Sequence, residues 1–254
     1  MKTIIKYDMN YMKKTSKFLV IGILGIFLAG LSTITAKYFN QIMEYALRQE
    51  GIEITLPPST VNEAYVQFFT NFTQIYFMVI LFIGVAYFTH DLTKGHYPLI
   101  FSKPIKRRDY ILSKSLIFSL TIVVSLVLAS VFFVYYTYIL FGTFDFIKFL
   151  FALTAFTVYI LLIVHFALYF STLFKNYLTP LVLSLAVFFL FSTLSIFDMG
   201  LFKYMPYQLM GYSMKIMSEN IIPLDIWISI ILSVGIIKLL IYLSIKRFSK
   251  RSLV

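Results

Sequence analysis

The sequence predicts an all-helical integral membrane protein with six transmembrane helices. Three observations carry this. Six apolar stretches, at 18–39, 72–90, 112–141, 146–173, 177–197 and 221–245, are each long enough to cross a bilayer, which takes about 20 mostly apolar residues. Of the 254 residues, 60% are hydrophobic and 13% charged, with a mean hydropathy of +0.86; a soluble domain has roughly 45–50% apolar and about 25% charged residues. Third, the basic residues segregate by loop. With the N-terminus inside, every Lys and Arg lies on the inner side except Lys37, Arg48, Lys148, Lys203, Lys215 and Lys238, the last within the sixth span. Asp8, Asp91 and Asp109 are the only acids that join them. This bias puts both termini in the cytoplasm. It also accounts for the net charge of +11 as membrane orientation rather than a nucleic-acid patch. There are no cysteines, which excludes disulfides, thiolate metal sites and cysteine catalysis. Six spans leave room for one transmembrane domain over 1–254 and no second, soluble one.

Residues 1–17 form a distinct element. Met1, Ile5, Met9 and Met12 recur at helical spacing, with Lys2, Lys6, Lys13 and Lys14 elsewhere on the wheel, as in an amphipathic helix lying in the membrane interface. The first apolar run is longer than a signal-peptide core, and Ala36-Lys37-Tyr38 is a poor cleavage site, so it reads as a retained span. In the outer loop that follows, Pro57-Pro58 stops any helix. Thr60 and Glu63 then match a capping box, so a new helix starts there and runs into the second span. The third and fourth stretches exceed the membrane's need and tilt or protrude. The outer loop at 198–220 is broken by Gly200, Pro206 and Gly211. Its Tyr204, Tyr207 and Tyr212 suit the headgroup level, and short surface-lying or re-entrant helices are expected.

The inner loop between spans 2 and 3, at 91–111, carries the most information. Leu99, Ile100 and Phe101 are apolar residues on the inner side, close to Lys94, Lys103, Lys106, Arg107 and Arg108. Such residues lie on the bilayer or fill a partner's pocket. Pro104 separates the two halves of the loop.

This segment resembles the membrane subunit of ABC type 2 exporters. That family has an acidic residue just after span 2, a glycine four positions on and a short apolar helix. A run of the form Pro-apolar-x-Arg-x-acidic-x-apolar-apolar-small-Lys follows. Here these are Asp91, Gly95, Leu99 to Phe101, and Pro104-Ile105-Lys106-Arg107-Arg108-Asp109-Tyr110-Ile111-Leu112-Ser113-Lys114. Asp91 stands where Glu is commoner, Pro98 interrupts the expected helix, and Ser113 stands where Gly is frequent. The basic N-terminal helix, the six spans and the aromatic outer loop before span 6 extend the resemblance over nearly the whole chain.

The resemblance implies a coupling helix in this loop, seated in a groove of a separate ATPase subunit. Asp91, Gly95, Tyr97, Leu99, Phe101, Pro104, Arg107 and Arg108 would carry the coupling. The apolar residues would dock, Asp91 and Gly95 would end the span and shape the turn, and the arginines would hold lipid phosphate or ATPase carboxylates. Phe174, Lys175 and Asn176 would make a second ATPase contact. Two ATPases pair with two permeases, as a homodimer or heterodimer, in a bacterial cytoplasmic (inner or plasma) membrane. No G-x-x-x-x-G-K-[ST] occurs in the chain, so ATP and Mg belong to the partner, no cofactor is bound here and the chain is not itself an enzyme. The short outer loops and the size resemble permeases that export antimicrobial or cytolytic peptides, such as the phenol-soluble-modulin exporters, and also lantibiotic self-immunity and drug-efflux permeases. A non-transporting scaffold or sensor, and an ion-coupled transporter, are the readings from other classes.

Two in-span residues stand apart. Lys238 either lines a translocation path, meets a partner's carboxylate or snorkels to the inner interface. His165 either faces a cavity or bonds a neighbouring helix. His90 and His96 lack a third ligand placed beside them by sequence, and no metal site is expected.

Overall fold

The computed structural model describes residues 1–52, 54–102, 105–197, 200–218 and 224–250. Among them the chain is helical throughout, with no strand. The order is α1 (Lys2–Lys14), α2 (Lys17–Gln49), α3 (Val61–Asn71), a π-helical turn (Phe72–Tyr76), α4 (Phe77–Thr93), α5 (Tyr97–Phe101), α6 (Arg107–Phe141), α7 (Phe146–Leu173), α8 (Leu178–Leu194), a 3-10 turn (Gly200–Tyr204), α9 (Gln208–Ser218) and α10 (Asp225–Ser249). Among the described residues five continuous helices are long and apolar enough to cross a membrane: Lys17–Gln49, Val61–Thr93, Arg107–Phe141, Phe146–Leu173 and Asp225–Ser249. α8 is apolar but has 17 residues, a rise of about 25 Å. The chain is a multi-pass membrane protein.

Several helices outrun the apolar stretches that predicted them. α2 continues ten residues past position 39. The second crossing starts at Val61 rather than 72, directly after Thr60. The Thr60 hydroxyl meets the Glu63 carboxylate at 3.5 Å, with no side-chain bond to the backbone cap. The proposed helix start therefore holds while the reciprocal capping box does not form. Residues 221–223, the expected start of the last span, lie outside the described residues. The outer loop after α8 folds into the 3-10 turn and α9, which packs on α7 and α3.

Close helix approach is set by small residues, which let backbones near one another where no hydrophobic effect drives association. A Cβ on Gly25 of α2 would stand 3.2 Å from the Ser125 hydroxyl and 3.3 Å from Ala129 of α6. A Cβ on Gly84 of α4 would stand 2.8 Å from the Phe118 ring. At the π turn, Asn71 donates to Ser32 at 2.9 Å. Tyr76 donates to Ser125 at 2.7 Å, and Ser125 donates to the Ile21 carbonyl at 2.9 Å. This chain of bonds ties the second crossing to α6 and α2.

Towards the turn between α6 and α7, packing is almost wholly aromatic. Phe133 lies 4.4 Å from Phe68 and 5.2 Å from Phe149, ring centre to ring centre, and Tyr65 lies 5.3 Å from Phe144. At the opposite end of the bundle the start of α6 meets the end of α10. The Arg107 guanidinium donates to the carbonyls of Ser249 at 2.7 Å and Phe248 at 3.3 Å. α1 lies at the same end, with the Met1 nitrogen just before it 3.1 Å from Asp109 Oδ2.

Candidate functional site

The site grows from the end of α4. The Lys94 N–H closes on the His90 carbonyl, and the His96 N–H on the Asp91 carbonyl, both at 3.0 Å. The second is the 6→1 bond of a Schellman ending, and it requires a left-handed residue, supplied by Gly95 at φ +67°. The chain turns back at once into α5. Pro98 does not interrupt this helix but sits in its first turn, where a missing N–H costs nothing.

α5 is pinned by its own apolar side chains. Tyr97 packs 5.2 Å from Phe248 and 4.7 Å from Phe101, and Tyr110 stacks on Phe248 at 5.1 Å. Tyr97 and Ile100 are buried and Phe101 is half-buried, whereas Leu99 is 70% exposed. Of Tyr97, Leu99 and Phe101, all expected to dock a partner, Leu99 projects outward, while Tyr97 and Phe101 pack against Tyr110 and Phe248 and hold the helix to α6 and α10. Beside Leu99 an apolar cleft of about 380 Å³ opens between α5 and α1, lined by Ile4, Tyr7, Ile100 and Ile105.

Beneath α5 lies a buried ion cluster. Lys114 Nζ is 2.9 Å from Asp91 Oδ2 and 3.4 Å from Asp8 Oδ1, and all three side chains are 2% exposed or less. Its third donor faces the Tyr87 carbonyl at 3.4 Å, so the ammonium has the three partners it can serve. Tyr110 donates to Asp91 Oδ2 at 2.7 Å and Tyr7 donates to Oδ1 at 3.0 Å. Ser113 donates to Asp8 Oδ2 at 2.5 Å. The cluster joins α1, α4 and α6 immediately behind the turn into α5. Burial pushes the Asp8 carboxyl above its ordinary range and the neighbouring Asp91 charge adds to this, while Lys114 and Ser113 pull it back. Burial, reinforced by Asp91, raises the Tyr7 hydroxyl, and likewise lifts Tyr11 to about 12.

Asp91 and Gly95 thus shape the turn, and Asp91 also carries the cluster. Arg107 is spent on the end of α10, satisfying carbonyls a helix end leaves open. Arg108 is exposed. Pro104 lies outside the described residues. Phe174, Lys175 and Asn176 form the short α7–α8 link, with Lys175 and Asn176 exposed and Asn176 accepting from the Thr179 N–H at 3.2 Å. His165 is buried, 2.6 Å from the Leu161 carbonyl through Nδ1 and 2.9 Å from the Ser115 hydroxyl through Nε2. The carbonyl can only accept, so Nδ1 donates to its own helix while Nε2 joins α7 to Ser115 of α6. Lys238 is exposed on the outer face of α10 beside Ile231, Val234 and Tyr242.

Sequence reasoning missed Asp8 and undervalued Lys114. The buried stripe of α1 is Ile4, Asp8 and Met12, while Met1 and Met9, expected on the apolar face, are exposed. An acid at the centre of an i, i+4, i+8 stripe was the available signal. The sequence also placed no carboxylate with His90 and His96. The Gly95 turn brings Asp91 to them, with one ligand atom from each residue all within 4.8 Å of one another.

The family model described as ABC-2 family transporter protein matches residues 3–253. No curated protein matches the chain.

Proposed function

The chain belongs to the ABC-2 family of transporter proteins, and from that premise we propose that it is the permease subunit of an ATP-driven exporter, with α5 as its coupling helix. The observation that carries the reading is the build of α5. One exposed leucine projects from a five-residue helix whose other apolar side chains and whose root at Asp91 are locked into three longer helices. A push on Leu99 would pass into α4, α6 and α10 as a rigid displacement. ATP and Mg would bind the separate ATPase, present in two copies, with Arg108 and the α7–α8 link at the rim of the contact.

On this reading there are six crossings: α1 and the end of α10 lie at one end of the bundle, which favours an even number, with α8 as the sixth despite its length. The lysines and arginines favour that end as the cytoplasmic one, in a bacterial cytoplasmic membrane. The whole chain acts as one transmembrane domain, paired with a second permease. A groove of about 520 Å³ between α6 and α7, lined by Val131, Tyr135, Tyr138 and Leu153 and almost wholly apolar, suits a hydrophobic or amphipathic cargo. An antimicrobial or cytolytic peptide is the first choice, and a drug or lantibiotic the second.

The test is co-purification from native membranes. Wild type should bring down an ABC ATPase, and Leu99→Asp should lose it while unfolding at the wild-type temperature. Phe101 is unsuited to this test because it packs inward. If no ATPase accompanies the wild type in gentle detergent, the exporter reading fails and a scaffold or ion-coupled transporter replaces it.

A further inference from the structure

Behind the exposed face of α5, the turn at Gly95 assembles a second set of donors. His90 lies in the last turn of α4 and Asp91 follows it. The His96 N–H bond to the Asp91 carbonyl folds the chain back, leaving the two imidazole rings 5.5 Å apart. Among the described residues this is the one group of three His, Asp or Glu side chains whose ligand atoms converge, all within 4.8 Å. Neither imidazole has a hydrogen-bonding side chain or carbonyl among the described residues, so their lone pairs are uncommitted.

Asp91 has capacity left. A carboxylate offers about four lone-pair sites. Tyr110 and Lys114 use two on Oδ2 and Tyr7 uses one on Oδ1, which leaves one on Oδ1. The two tyrosines fix the carboxylate's orientation, as outer partners do in protein metal sites. The Tyr11 ring, 4.5 Å from His90, holds that imidazole in place. The His96 backbone is fixed by the turn, its N–H on the Asp91 carbonyl and its carbonyl on the Ile100 N–H, so only its side chain need adjust.

We propose that His90, Asp91 and His96 bind one divalent transition-metal ion, of the Zn²⁺, Co²⁺ or Ni²⁺ class, clamping the end of α4 to the start of α5. Two imidazoles and one carboxylate suit these metals. Mg²⁺ and Ca²⁺ favour oxygen-rich shells, and a single carboxylate does not supply one. Bond lengths of about 2.0–2.2 Å require the donors to close in slightly, which tightens the Gly95 turn. The proposal does not rest on the transport reading.

The test uses full-length protein in detergent, carrying an affinity tag without histidines and stripped with a chelator. Co²⁺ titration followed by visible absorption should show one saturable site per chain, displaced by Zn²⁺ and not by excess Mg²⁺. Zn²⁺ should raise the unfolding temperature of wild type. His96→Ala removes a side chain from the turn, so its metal-free unfolding temperature should equal that of wild type, and it should bind at least tenfold more weakly with no Zn²⁺-induced rise. His90→Ala should bind more weakly by a similar factor. Absence of a saturable Co²⁺ signal in wild type overturns the proposal. So does a His96→Ala titration that matches wild type.

Discussion

The two ends of the bundle are held by different physics. At the α6–α7 turn, Tyr65, Phe68, Phe133, Phe144 and Phe149 interlock chiefly by ring packing, with one hydrogen bond, from the Asp145 N–H to the Tyr65 hydroxyl at 2.9 Å. At the other end, Asp8, Asp91 and Lys114 are joined by charge-assisted bonds with tyrosine and serine donors. In a bilayer, lipid tails are as apolar as the aromatic cluster, so that cluster gains only packing over lipid contact. A buried ion cluster behaves oppositely. It adds little over a well-packed apolar alternative, but removing one member leaves uncompensated charge. The aromatic end can tolerate graded change; the ionic end is all or none. That is the property the coupling proposed for α5 would need, with α1, α4 and α6 moving with it as one body.

The largest expected effect is Lys114→Met, which strands two buried carboxylates side by side. Breaking a buried ion pair costs about 3–5 kcal/mol, read as a fall in unfolding free energy in micelles. Adding Asp8→Asn and Asp91→Asn to Lys114→Met should recover most of the loss, because the neutral triple leaves no charge behind. A single variant within about 1 kcal/mol of wild type would mean that ions do not hold this end.

Next comes Phe149→Ala at the aromatic end. The transfer gain is absent in lipid, so only a cavity of about 100 Å³ counts, at about 24 cal/mol per Å³, giving about 2 kcal/mol. Lys114 and the Phe133–Phe149 contact are separated by about 28 Å along α6, so the two losses should add in the double variant. Gly84→Ala lies between the two ends. Its Cβ would meet the buried Phe118 ring at 2.8 Å, and such overpacking costs about 1–3 kcal/mol.

How much of this was legible follows from which forces act locally. The helices were readable because about 20 apolar residues in a row admit few other readings. Not all their ends were: the start of α3 was read from Pro57-Pro58 and Thr60, but the ten residues of α2 past position 39 are mixed in polarity and carried no such signal. The loop at 91–111 announced itself by Gly95 and by apolar residues among lysines. Which of those residues face out could not be read, since Tyr97 and Phe101 turn inward only because Phe248, far along the chain, is there to receive them. Asp8 had a local signal, its place in the Ile4–Met12 stripe, but its partner was not legible for the same reason. Its role depends on Lys114, 106 positions away.

The smallest effect concerns the proton on Asp8. Burial, seconded by Asp91, raises this carboxyl above the ordinary value of 3.8, against the pull of Lys114 and Ser113. A carboxyl with a raised folded pKa binds its proton more tightly in the native state than in the unfolded one. Its stabilising contribution is complete below pH 3.8 and is lost as pH rises through the folded pKa. Asp8→Asn has nothing to titrate there. The stability of wild type relative to Asp8→Asn should therefore rise as pH falls from about 8 to about 4, with the same measurement on Phe149→Ala showing no such slope against wild type. The opposite slope would mean that Lys114 outweighs burial and holds Asp8 ionised. The cluster would then be a permanent two-carboxylate, one-lysine lock rather than one that a proton can complete.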